Sequence, residues 1–134
     1  MSDLSNFINE IQSMAQPSAQ PLAQPTSTQK SIKIMIVSTH VNQVNGYSKV
    51  AFNLIKELEK NPWINIVHFG TQKMQNADLG RTYPSRVKVI DGSALDKEKT
   101  PGFALSELPG AIQSEKPDVV FLYNDLSVIC AYIE

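Results

Sequence analysis

The strongest constraint on this chain is a short apolar run followed by a change of period. Lys33-Ile34-Met35-Ile36-Val37-Ser38 is mostly apolar, the composition of a strand buried on both faces in a parallel sheet covered by helices. After a loop over residues 39–45, Tyr47, Val50, Ala51, Leu54, Ile55 and Leu58 recur at i, i+3, i+4, i+7, i+8 and i+11. That spacing predicts a helix of about three to four turns with these residues on its apolar face. Lys60 suits the negative end of its dipole, and Asn61-Pro62 stops it. Further strands are predicted over residues 64–69, 87–90 and 118–123, the last with the core Val119-Val120-Phe121-Leu122. A helix lies between Leu105 and Lys116, started by Ser106 or Pro109 and ended by Pro117. Another opens after Asn124-Asp125, with Asp125 as its N-cap and an apolar body from Leu126 to Ile133.

This alternation predicts an α/β fold. Right-handed crossovers make the strands parallel, with helices on both faces and the strand order 3-2-1-4, a Rossmann-like half of a doubly wound sheet. The sheet is expected to be incomplete. Its apolar fourth strand has only one following helix to cover it, and that helix reaches Glu134 without a Gly or Pro stop. The expectation is therefore the N-terminal part of a longer protein, with residues 32–134 as a partial domain and residues 1–31 as a tail.

Residues 15–26 repeat Ala-Gln-Pro in three tetrapeptides, with Pro17, Pro21 and Pro25. Each proline removes a backbone donor and disfavours helix at the preceding residue, so a flexible, partly polyproline linker is expected. Before it, Leu4, Phe7, Ile8, Ile11 and Met14 fall at helical spacing over residues 3–14. Two readings stand: a docking helix for a partner, or an isolated helix mostly frayed in water.

Charge and composition narrow the function. Lys and Arg number 12 against 13 Asp and Glu, leaving no basic surplus to hold a nucleic-acid backbone. The single cysteine, Cys130, allows no internal disulfide, and with only His40 and His68 beside it no zinc site is expected. No apolar run approaches the ~20 residues of a membrane span, and Asp3 stands where a signal peptide would be basic. A cytoplasmic protein is expected.

In open parallel sheets ligands bind beyond the carboxyl ends of the strands, where strand order reverses. For the order 3-2-1-4 that point falls between strands one and four, flanked by residues 38–46 and by Asn124-Asp125. Gly46 enters the first helix there, so the N–H groups of Gly46, Tyr47 and Ser48, beside Asn45, are candidates for holding a phosphate or a sugar hydroxyl. A backbone position needing positive φ accounts for Gly46 equally well. His40, two residues past the first strand, and Asn124 and Asp125 are candidates to line the cleft; capping alone would also explain Asp125. No G-x-G-x-x-G or G-x-x-x-x-G-K-[ST] occurs. His68 is expected to be a packed or edge histidine, Arg81 to lie at the surface rather than to reach an anion, Trp63 to staple the first helix to the second strand, and Cys130 to be buried.

The segments Lys33–Ser38, Asn45–Leu58 and Pro117–Asp125 together resemble the N-terminal domain of glycosyltransferase family 4, retaining enzymes of the GT-B fold with similar versions in large DNA viruses. The resemblance spans roughly residues 32–134. It implies two Rossmann-like domains around a cleft, an acceptor of unspecified kind held mainly by this one, and a nucleotide-sugar donor held mainly by a second domain downstream. Gly46 would lie near the donor phosphates and Asn124-Asp125 would line the cleft. Asn45-Gly46 stands where many members have two glycines, and Tyr123-Asn124-Asp125 where many carry His. The paired glutamates and catalytic histidine of the family are absent, so no catalytic residue is assigned, no cofactor or metal is implied, and the chain alone should not catalyse transfer. The competing reading is a non-catalytic α/β module that binds a nucleotide or a partner.

Overall fold

The computed structural model describes residues 29–74, 76–97 and 102–134; the expectations for residues 1–28, the helix at 3–14 among them, lie outside the described residues. The elements are β1 (Ile32–Thr39), α1 (Gly46–Glu59), β2 (Ile64–Thr71), β3 (Lys88–Asp91), the single turn α2 (Gly92–Leu95), α3 (Leu108–Glu115), β4 (Val119–Tyr123) and α4 (Leu126–Ile133). The four strands form one sheet in the order β3-β2-β1-β4, every pair parallel. The fold is α/β with a Rossmann-like sheet and the predicted order.

Alternation along the strands divides the core between the two faces. Ile36, Ile64 and Ile66 pack with Val41 and with Ile55 of α1 on one face, joined by Trp63, Tyr83 and Val87. Met35, Val37, Val67 and Phe69 pack with Leu108 of α3 on the other, joined by Ala111, Ile112, Leu122 and Tyr132. Met35 and Phe69 are wholly buried; burying a side chain of this size contributes about 1.5–3 kcal/mol.

Helix α1 begins where its cap directs. Asn45 has extended backbone and its side chain accepts from Ser48 N, while Lys60 closes the far end. Of its predicted apolar face, Ala51 and Ile55 are buried, but Val50 is 47% exposed. The buried face is narrower than the spacing implied, because Val50 borders the open space beside Tyr123 rather than the core. Helix α3 carries Pro109 in its first turn and ends at Lys116, which takes the left-handed conformation before Pro117. The turn α2, capped by Asp91 through Ala94 N, escaped the sequence reading because one turn carries no periodicity.

Strand β4 is the least covered. Val119, Val120 and Phe121 are 48%, 37% and 43% exposed, and no residue of α4 is buried. Cys130, expected inside, is therefore exposed: α4 touches the sheet mainly through Tyr132.

Candidate functional site

The connections at the carboxyl ends of β1 and β4 lead to opposite faces, β1 to α1 and β4 to α4, which opens the crevice that strand order requires. Asn45, Gly46, Tyr47, Val50 and Tyr123 line a cavity of about 440 Å³ there. Four of the proposed contact residues thus converge: Asn45, Gly46 and Tyr47 from the first loop and helix, and Asp125 from the other side. The Tyr47 hydroxyl donates to Asp125 Oδ1 across 78 residues of sequence, and the Tyr47 and Tyr123 rings meet edge to face at 5.5 Å. The hydrogen bond to Asp125 is the main reason the Tyr47 phenol is held above its ordinary pKa.

Asp125 occupies the N-cap position of α4 but makes no side-chain cap bond. Helix capping alone does not explain its carboxylate, because Tyr47 has it instead. Beside it, Asn124 Oδ1 accepts from Asp125 N at 2.8 Å, whereas Asn124 Nδ2 is buried without a partner.

Ser48 is used internally. Its amide donates to Asn45 Oδ1 at 2.8 Å, and its hydroxyl donates to Asn45 O at 2.8 Å and to Gln43 O. The side chain is fully buried. Helix geometry leaves the amides of Gly46 and Tyr47, the first two residues of α1, without intrahelical acceptors, with the positive end of the helix dipole behind them. Positive φ does not account for Gly46: the glycines with positive φ are Gly80 and Gly102. A Cβ built on Gly46 meets nothing within 4 Å.

His40 turns toward β2. Its ring lies over Gly70, where an added Cβ would come within 2.7 Å of Cδ2, and it meets Tyr83 edge-on at 5.6 Å and His68 at 6.3 Å. Burial, then the positive charge of Lys73, lowers its pKa. His68 is packed, as its place in β2 suggests: Nε2 pairs with Ser38 Oγ at 2.9 Å and Nδ1 with Tyr83 Oη at 2.7 Å. Burial, then His40, brings its pKa down to about 3, so the ring is neutral. Burial pushes the Tyr83 phenol up.

Arg81 corrects the surface expectation. It donates from Nη1 to Val41 O at 2.8 Å and to Ser48 Oγ at 3.1 Å, with its guanidinium over Phe52. It ties the first loop to α1. Asn42 pairs with the Arg81 backbone in both directions, at 3.0 and 3.2 Å, and Gln43 Nε2 donates to Gln72 O at 2.5 Å. These contacts brace the first loop, and sequence reasoning missed them. The only signal was the polar content of two loops about 40 residues apart.

No family model and no curated protein matches the chain.

A larger cavity, about 570 Å³, runs along α3 beside Ile90 and Leu95. Its carboxylates are already engaged, Glu107 by Lys97 N at 3.3 Å and Glu115 by the Lys88 ammonium. Among the described residues no cluster of three or more His, Cys, Asp or Glu side chains could hold a metal ion, and no helix is long and apolar enough to cross a membrane.

Proposed function

We propose that residues 32–134 are the acceptor-side domain of a retaining GT-B glycosyltransferase of the family 4 type, and that the crevice between β1 and β4 receives the phosphates of a nucleotide-sugar. Gly46 carries the reading. Glycine at the start of a helix forfeits about 1 kcal/mol or less of helix propensity relative to alanine, and the fold has no need of it, since its φ is ordinary and its Cβ direction is open. A bare backbone at this point serves something that approaches from outside. A diphosphate oxygen can reach the Gly46 and Tyr47 amides at ~2.7–3.2 Å only if no side chain intervenes. Asn45 and Asn124 supply polar groups for a sugar or ribose, and Tyr123 supplies ring surface. The donor's remaining contacts and the transfer step itself belong to a second domain in this reading, so binding is the quantity to measure.

The test is calorimetry of UDP-glucose and GDP-mannose with wild type, Gly46→Ala, Gly46→Val and Asn124→Ala, each melted in parallel. Gly46→Ala should match or slightly exceed wild-type stability. Gly46→Val should stay folded and lose at least tenfold in affinity, since one charge-assisted hydrogen bond is worth roughly 1.5–3 kcal/mol. A folded Gly46→Val that binds donor as wild type does would remove the first loop from the site. Binding of UDP that gains nothing from the sugar would favour a nucleotide-binding module instead.

A further inference from the structure

We propose that Asp125 exchanges between two partners, and that this exchange gates the crevice; what passes the gate rests on the donor-site reading above. Asp125 stands at the N-cap of α4 with φ −57° and ψ 147°, the extended backbone of a capping residue, yet its side chain caps nothing. Its carboxylate instead holds the hydroxyl of Tyr47, the second residue of α1. The helix across the crevice shows the alternative: Asn45 occupies the same position in α1, and its side chain accepts from Ser48 N. Asp is among the strongest N-cap residues because its carboxylate satisfies amides at the second and third helical positions. In α4 those are Ser127 and Val128; Val128 N already donates to the Asp125 carbonyl at 3.0 Å, which leaves the Ser127 amide for the carboxylate.

Two further atoms single out this point of the fold. Thr39 Oγ1 and Asn124 Nδ2 are buried without hydrogen-bond partners. Thr39 follows Ser38, the register partner of Tyr123, and Asn124 follows Tyr123, so both orphans sit where β1 and β4 end side by side. Buried polar groups are nearly always paired in native structures, and an unsatisfied pair beside an unused cap marks a junction with a second arrangement available.

The exchange makes opening inexpensive. When Tyr47 leaves, Asp125 loses one hydrogen bond and gains the amide of Ser127, so only the difference opposes the motion. Tyr47 lines the 440 Å³ cavity, and its departure clears the side next to the Gly46 and Tyr47 amides. An anionic ligand favours the open state, because capping draws the Asp125 charge back to the positive end of α4. The closed state keeps that charge at the mouth.

A stability cycle in urea tests the exchange without any ligand, using wild type, Tyr47→Phe, Asp125→Ala and the double variant. Tyr47→Phe should shift the unfolding midpoint little and slow amide exchange at Ser127, because the released carboxylate caps α4. Asp125→Ala should then lower the midpoint clearly even in the Tyr47→Phe background. If Asp125→Ala is silent in that background, Asp125 has no second partner and the proposal is overturned, whatever the first substitution costs. UDP binding reads the gate: Tyr47→Phe should bind about tenfold tighter than wild type, the gain expected when about one molecule in ten is open. Equal UDP affinity in both proteins overturns the gate. No UDP binding by either, with the stability cycle as expected, overturns the donor-site reading and leaves the exchange of partners standing.

Discussion

His68 shows how one buried side chain sets the acid behaviour of the protein. It is wholly buried between Ser38 and Tyr83, with its pKa down at about 3 against 6.5 for an unhindered ring. The unfolded chain therefore takes up a proton first. The contribution of His68 to stability is complete above pH 6.5 and is lost as the pH falls from 6.5 toward 3, with a contribution of the same sign from His40. His68→Gln should have a shallower dependence of the urea midpoint on pH across that window. An unchanged slope in the variant would mean that the ring is protonated at no cost in the folded protein. In the sequence His68 reads as packed because it falls inside a strand. Arg81 and Asp125 were not legible in the same way, since their partners, Ser48 and Tyr47, are set by the crossing of distant loops rather than by any local period.

At the scale of elements, legibility followed the strength of the pattern. The continuous apolar run of β1 and the helical spacing of α1 fixed both elements to within about a residue, and Pro109 and Pro117 bracketed α3. Burial was harder to read, because it depends on neighbours: Val50 repeats in phase with Ala51 and Ile55 yet stays exposed, and Cys130 lies in an apolar helix that buries none of its residues. The end of α3 offers a direct test of local strain. Lys116 sits at φ 47° and ψ 57°, a left-handed conformation that costs residues with a Cβ roughly 1–2 kcal/mol. Lys116→Gly should raise stability by up to about 1 kcal/mol in chemical denaturation, once the greater freedom of glycine in the unfolded chain is subtracted. A loss of stability would show that the Lys116 side chain contributes more than its backbone costs.

For the whole molecule, the sheet leaves two unequal edges. β3 is short, whereas β4 presents Val119, Val120 and Phe121 at 37–48% exposure beside an α4 whose Leu126 and Ile133 are more than two-thirds exposed. Exposed apolar edge strands pair with one another unless a charge intervenes. Sedimentation velocity of residues 29–134 should show concentration-dependent association that Val120→Lys reduces; a monomer at every concentration would mean that the edge is already protected. The central claim concerns the opposite end of the sheet, where parallel strands, a bare helix start and two diverging loops make one crevice. Its most direct test is amide shift mapping of the isotope-labelled protein titrated with UDP-glucose. The account predicts saturable shifts concentrated at Asn45, Gly46, Tyr47, Asn124 and Asp125. Shifts centred on Ile90, Leu95 and Ala111 along α3, or none at saturating nucleotide-sugar, would contradict it.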